Sequence, residues 1–131
     1  MKGFNLTRLK PHETAIVELR SPEDQSLTGG KITIAGPTSE THREAAESLR
    51  GRRAALLRRY KEESKVPLDE MLASYRTFLV DITVGWEGMT DGPDDAAVAF
   101  SKDAARKAYE NPSIVEQVSA TFGDLAAFIR G

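Results

Sequence analysis

Cysteine is absent from the 131-residue chain, which excludes a disulfide, a thiol nucleophile and a thiolate metal site. Histidine is nearly as scarce: His12 and His42 are isolated, and neither has another His or Cys at ligand spacing. No apolar run approaches the ~18 residues of a membrane-spanning helix. The opening MKGFNLTRLKPHE lacks the apolar core of a secretory signal. Net charge is only −2 at pH 7, which argues against bulk attraction to nucleic acid or anionic membrane. Gly29-Gly30 belongs to neither a P-loop nor a GxGxxG fingerprint and reads as a turn, and no serine sits in a nucleophile elbow. The acids of EGMTDGPDD do not have the spacing of an EF-hand loop. The expectation is a soluble intracellular protein that is not an enzyme and needs neither metal nor cofactor.

What is present fits a globular protein, with 40% hydrophobic and 29% charged residues. The reading is α+β and predominantly helical: a short N-terminal β-hairpin-like element, then about four helices. One domain is expected over 1–131, with a leading arm at 1–13, a β element at 14–36 and a helical body at 40–131. Residues 14–20 alternate, Ala15, Val17 and Leu19 facing one way and Ile16, Glu18 and Arg20 the other. A second strand is expected at 31–35, where Ile32 and Ile34 share a face. Thr41 with Glu44 has the form of a capping box for a long helix.

The strongest pattern lies at 67–89. Leu68, Met71, Leu72, Tyr75, Phe78, Leu79 and Ile82 recur at helical spacing and predict one buried stripe, with Gly85 ending the helix in a left-handed conformation. Further on, Ser101 suits the cap of a short helix to about Tyr109. Asn111-Pro112 suits the start of a last helix bearing Ile114, Val115, Val118, Phe122, Leu125, Ala126 and Ile129 on one face.

Charge is segregated along the chain. Residues 42–65 hold eight Lys/Arg against four Glu, a surplus of +4, and residues 86–103 hold five acids against Lys102, a deficit of −4. The arginines Arg50, Arg52, Arg53, Arg58 and Arg59 do not gather on one helical face: Arg53 falls in the apolar arc, Arg50 and Arg52 flank it, and Arg58 points away. That scatter, with only Tyr60 nearby to stack on a base, disfavours nucleic acid. It leaves a solvated face, or contact with the acidic segment of a neighbouring subunit, for which Arg50, Arg52, Arg53 and Arg59 are the candidates. Trp86, Met89 and Phe128 either complete the core or serve as aromatic and methionine anchors for a partner.

The segments ITIAGPTSETHR, VGWEGM and FSKDAARKAYENPSIVEQVSATFGDLAAFI together resemble the tail assembly chaperones of long-tailed, lambda-like siphophages and prophages. The resemblance covers about 15–129 and rests on structural signatures without catalytic residues. It implies a protein that binds the tape measure protein, keeps it soluble in the host cytoplasm and helps recruit tail tube subunits. It further implies self-association, a link to the major tail protein through a longer frameshifted product, and absence from the mature virion. A head–tail or tail adaptor retained in the virion is the alternative.

Overall fold

The computed structural model describes residues 14–122. Among them the fold is α+β, with four helices and five strands. Strands β1 (Thr14–Arg20) and β2 (Leu27–Ala35) pair antiparallel. Ala15, Val17 and Leu19 are buried and Ile16 and Glu18 exposed, so the alternation in the sequence does describe a sheet with one covered face. The tight connection is the turn at 21–26, where the Ser21 N–H donates to the Ser26 carbonyl at 2.8 Å. Gly29-Gly30, expected as that turn, lies inside β2, where the register with β1 slips between Glu18 and Arg20. Gly29 has φ +88°, which relieves the irregularity at no steric cost.

Helix α1 spans Glu40–Tyr60, and its cap lies two residues before Thr41, the cap predicted from the sequence. Its cap is Ser39, whose hydroxyl accepts from the His42 N–H at 3.2 Å and donates to the Gly36 carbonyl at 2.7 Å. Serine outcompetes Thr41 because the chain leaving Gly36-Pro37 already places its oxygen over the first free N–H groups. A 3-10 turn at Glu63–Lys65 leads into α2 (Leu68–Ile82), which returns along α1. The Arg52 guanidinium donates to the Ser74 carbonyl at 3.3 Å and Arg59 lies 3.5 Å from Glu70, contacts that mark the two helices as an antiparallel hairpin.

The end of α2 corrects the sequence reading most. Gly85 caps nothing; residues Thr83–Glu87 form β3, which pairs antiparallel with β2 through Ile34↔Thr83, Thr33↔Gly85 and Ile32↔Trp86. The sheet order is therefore β1-β2-β3, and the N-terminal hairpin is stabilised by a strand from within the segment read as helical. Thr83 and Val84 are β-branched or strand-favouring, and the ladder on β2 outweighs the glycine stop signal. Lys102 replaces the missing glycine cap: its ammonium donates to the Val80 carbonyl at 2.9 Å and the Thr83 carbonyl at 2.8 Å, a cation at the negative end of α2. Burial lowers the Lys102 pKa from the ordinary lysine value, with Asp81 opposing the shift.

A two-rung ribbon of β4 (Thr90–Asp91) and β5 (Ala96–Ala97) follows, and then α3 (Lys102–Ala108) and α4 (Pro112–Phe122). Ser101 caps α3 through the Ala104 N–H, and Asn111 accepts from the Ser113 N–H at the start of α4, as the sequence predicts. The core lies between the inner sheet face (Val17, Ile32, Ile34), the C-terminal half of α2 (Phe78, Leu79, Ile82), Ala105 and Tyr109, and Val118 of α4. Thr83 donates to the Leu79 carbonyl at 2.6 Å, which leaves the Tyr109 hydroxyl to donate to Thr83 Oγ1 at 2.7 Å. Burial raises the Tyr109 pKa. Gln117 closes the end of the β1 edge: its amide accepts from the Arg20 N–H at 2.7 Å and donates to the Arg20 carbonyl at 3.0 Å.

Candidate protein-interaction surfaces

Two surfaces collect the residues that sequence reasoning singled out. The first is the free end of the α1–α2 hairpin. The stripe expected to be buried along α2 is buried only in its second half; Leu68 is 70% exposed, Leu72 40% and Met71 38%. Three packing partners meet at the C-terminal half (the sheet, α3 and α4), and among the described residues the helix runs on past them beside α1. On α1, Ala46 and Leu49 pack against the core, while Leu57, eleven residues after Ala46 and so on nearly the same face, is 43% exposed. Leu57, Leu68, Met71 and Leu72 thus extend both core-facing stripes into solvent.

The four candidate arginines divide around this end. Arg52 and Arg59 are turned toward α2, the first on the Ser74 carbonyl and the second beside Glu70 and over the Tyr60 ring at 5.3 Å. The hydrogen bond to Glu70 raises the Tyr60 pKa. Arg50 and Arg53 lie on the Leu57 side of α1, exposed, and form no ion pair among the described residues. Arg53 occupies the apolar arc as expected but lies beyond the sheet, so it meets solvent and not core.

The second surface is a trough along α3 and α4. A hollow of about 350 Å³ is lined by Trp86, Met89, Val98, Ala104, Ala108 and Ile114, with Asp91 and Lys107 also on its wall. An adjoining hollow of about 260 Å³ shares Met89, Thr90, Asn111 and Ile114 with it and runs on to Leu19 and Gln117. Trp86 is held by its indole N–H, which donates to the Val98 carbonyl at 2.8 Å, and by the edge of Phe100 at 5.3 Å between ring centroids. Gly88 shapes the floor beside it. Its φ is +69°, and a Cβ there would meet the Gly29 carbonyl oxygen at 2.1 Å, so only glycine lets the turn after β3 close onto β2. Trp86 and Met89 are therefore partly buried against the core and also form part of an open wall. Phe128 lies outside the described residues.

No family model, characterised protein or solved structure matches this chain. Its surfaces are the observations that remain. Among the described residues no group of three His, Cys, Asp or Glu side chains is placed to hold a metal ion, and no helix is long and apolar enough to cross a membrane. Trp86 and Met89, both singled out in the sequence, line the same hollow, and Ala104, Ala108 and Ile114, which the sequence did not single out as their neighbours, line it with them. Nothing local signals that pairing, since α3 and α4 reach the trough only through tertiary packing.

Proposed function

We propose that the protein is a non-enzymatic tail assembly chaperone of a lambda-like siphophage or prophage, acting in the host cytoplasm. It binds an amphipathic helical segment of the tape measure protein, keeps that protein soluble and helps recruit tail tube subunits, the latter through a longer frameshifted product. The observation that carries the binding role is the trough between Trp86 and Ile114, an open apolar channel of the size that accepts anchoring side chains, with only a few polar groups at its rim. A helix laid in such a groove inserts apolar residues one turn apart, and methionine and alanine walls adapt to varied sequences. The phage assignment is supported by the resemblance of ITIAGPTSETHR, VGWEGM and the α3–α4 segment to those chaperones.

The test is co-expression with the tape measure protein encoded beside this one, scoring soluble tape measure protein and its co-purification. Recovery of a soluble complex is expected. Ala108→Glu, which places a charge in the trough without removing a core side chain, is expected to cut recovery several-fold. Insoluble tape measure protein in both the wild-type and variant co-expressions would sink the chaperone reading.

A further inference from the structure

We infer that the trough beside Trp86 reads the flanks of the helix it binds as well as its apolar face, and so fixes the direction in which that helix lies. The segment it takes carries apolar anchors about one turn apart, basic side chains on the flank that meets the β4–β5 ribbon, and an acidic side chain on the flank that meets α3. This rests on the reading of the trough as a groove for a helical client.

The two walls of the trough differ in charge. Around the hollow at Trp86 the charged lining residues are Asp91, on β4, and Lys107, on α3. Neither makes an ion pair among the described residues. The ribbon adds Asp94 and Asp95, both exposed, and residues 88–98 contain no lysine or arginine. Glu87, just before it, lies 3.9 Å from Lys31. On α3 the other charges are engaged: Asp103 pairs with Arg106, and Lys102 donates to the carbonyls at the end of α2. Glu110 and Glu116 are exposed and line neither hollow. In the adjoining hollow the charged lining residue is Arg20, whose guanidinium donates to the Gln25 carbonyl at 2.9 Å. The ribbon wall is therefore acidic, and the α3 wall offers one cation.

A helix pressed into a groove by its apolar face has two flanks, and reversing its direction exchanges the walls they meet. With unlike walls the two directions differ in energy. One sets Lys or Arg against Asp91 and Glu against Lys107; the other sets like charges together. Exposed pairs of this kind are individually weak and are screened by salt. The apolar anchors thus supply affinity, and the walls supply direction.

Three synthetic helices of about 20 residues, sharing one Leu/Met face and lacking aromatic residues, test this with the full chain. The first carries Lys on one flank and Glu on the other, the second Lys on both, and the third Glu on both. Trp86 is the only tryptophan, so its emission reports occupation of the trough. At low salt the Lys/Glu peptide should bind tightest and the all-Glu peptide several-fold more weakly. Lys107 is exposed, so circular dichroism should show Lys107→Glu folded. That variant should invert the order of the Lys/Glu and all-Lys peptides. A nitroxide on one terminus of the Lys/Glu peptide should quench Trp86 more strongly than on the other, and exchanging the Lys and Glu flanks should reverse which terminus quenches. Equal binding of the three peptides, equal quenching from both termini, or an unchanged order in Lys107→Glu overturns the inference and leaves the groove itself standing. No binding by any peptide overturns the groove reading as well. Trp86 emission that shifts with protein concentration alone gives the trough to a second copy and also overturns the inference.

Discussion

The two halves of α2 share one apolar spacing and have opposite surroundings. Leu79 and Ile82 are fully buried and Phe78 is 3% exposed, while Leu68, eleven residues before Leu79 on the same face, is 70% exposed. Periodicity reports which side of a helix is apolar; it carries no information about how many other elements arrive to cover that side. At the C-terminal half the sheet, α3 and α4 converge, and Tyr75 reaches Ser119 of α4 with 2.6 Å between hydroxyl oxygens. One turn earlier, among the described residues, α1 is the element that remains beside it. A stripe of uniform composition is thus core at one end and surface at the other.

The largest effect that separates the halves is a matched truncation. Leu79→Ala should cost about 3 kcal/mol through lost burial and an unfilled cavity, whereas Leu68→Ala should change stability by less than about 0.5 kcal/mol. Urea unfolding of both variants, at a concentration low enough to keep the chain monomeric, measures the difference. Equal costs would mean that the two halves are equally covered.

A smaller effect probes what holds the buried half in place. Lys102→Met removes the donors that serve the Val80 and Thr83 carbonyls where α2 gives way to β3. The expected loss is about 1 kcal/mol, moderated by the exposure of the lysine, with faster amide exchange concentrated at residues 79–83. Unaltered exchange there would leave the junction to the sheet ladder alone.

The smallest effect is a pH dependence. His42 meets the edge of Phe78 at 5.6 Å between ring centroids, and burial lowers its pKa below the ordinary histidine value of 6.5. Between the lowered value and 6.5 the unfolded chain binds more protons than the folded one, so stability falls as pH drops through that window and levels off below it. His42→Gln should flatten this slope in urea midpoints taken from about pH 7.5 to about pH 5. A slope unchanged in the variant would place its origin in other groups.

Much of the fold was legible because its signals are local. The β1 alternation, the Ser101 cap and the Asn111-Pro112 start each depend on groups a few residues apart, and each stands where the sequence predicts it. Gly85 misled because a glycine after an apolar helix is also a local signal, and the competing signal, the open edge of β2, lies some fifty residues away. The candidate sites were legible only in part. Arg52 and Arg53 are neighbours in sequence, yet one serves the α2 backbone and the other faces solvent, a division set by the position of α2 and not by composition.

The amino-acid sequence by itself determined the periodic faces, the caps at Ser101 and Asn111, the segregation of charge, and the exclusion of thiol chemistry. The tertiary structure alone decided that β3 joins the N-terminal strands, that Gln117 closes the β1 edge across 97 positions, that α3 and α4 wall a trough beside Trp86, and that half of the main stripe is left in solvent. The physical reason is range: a cap or an alternation is satisfied by atoms one or two turns away. A strand pairing, a hollow or an exposed stripe is defined by which distant elements come together, and by where they stop.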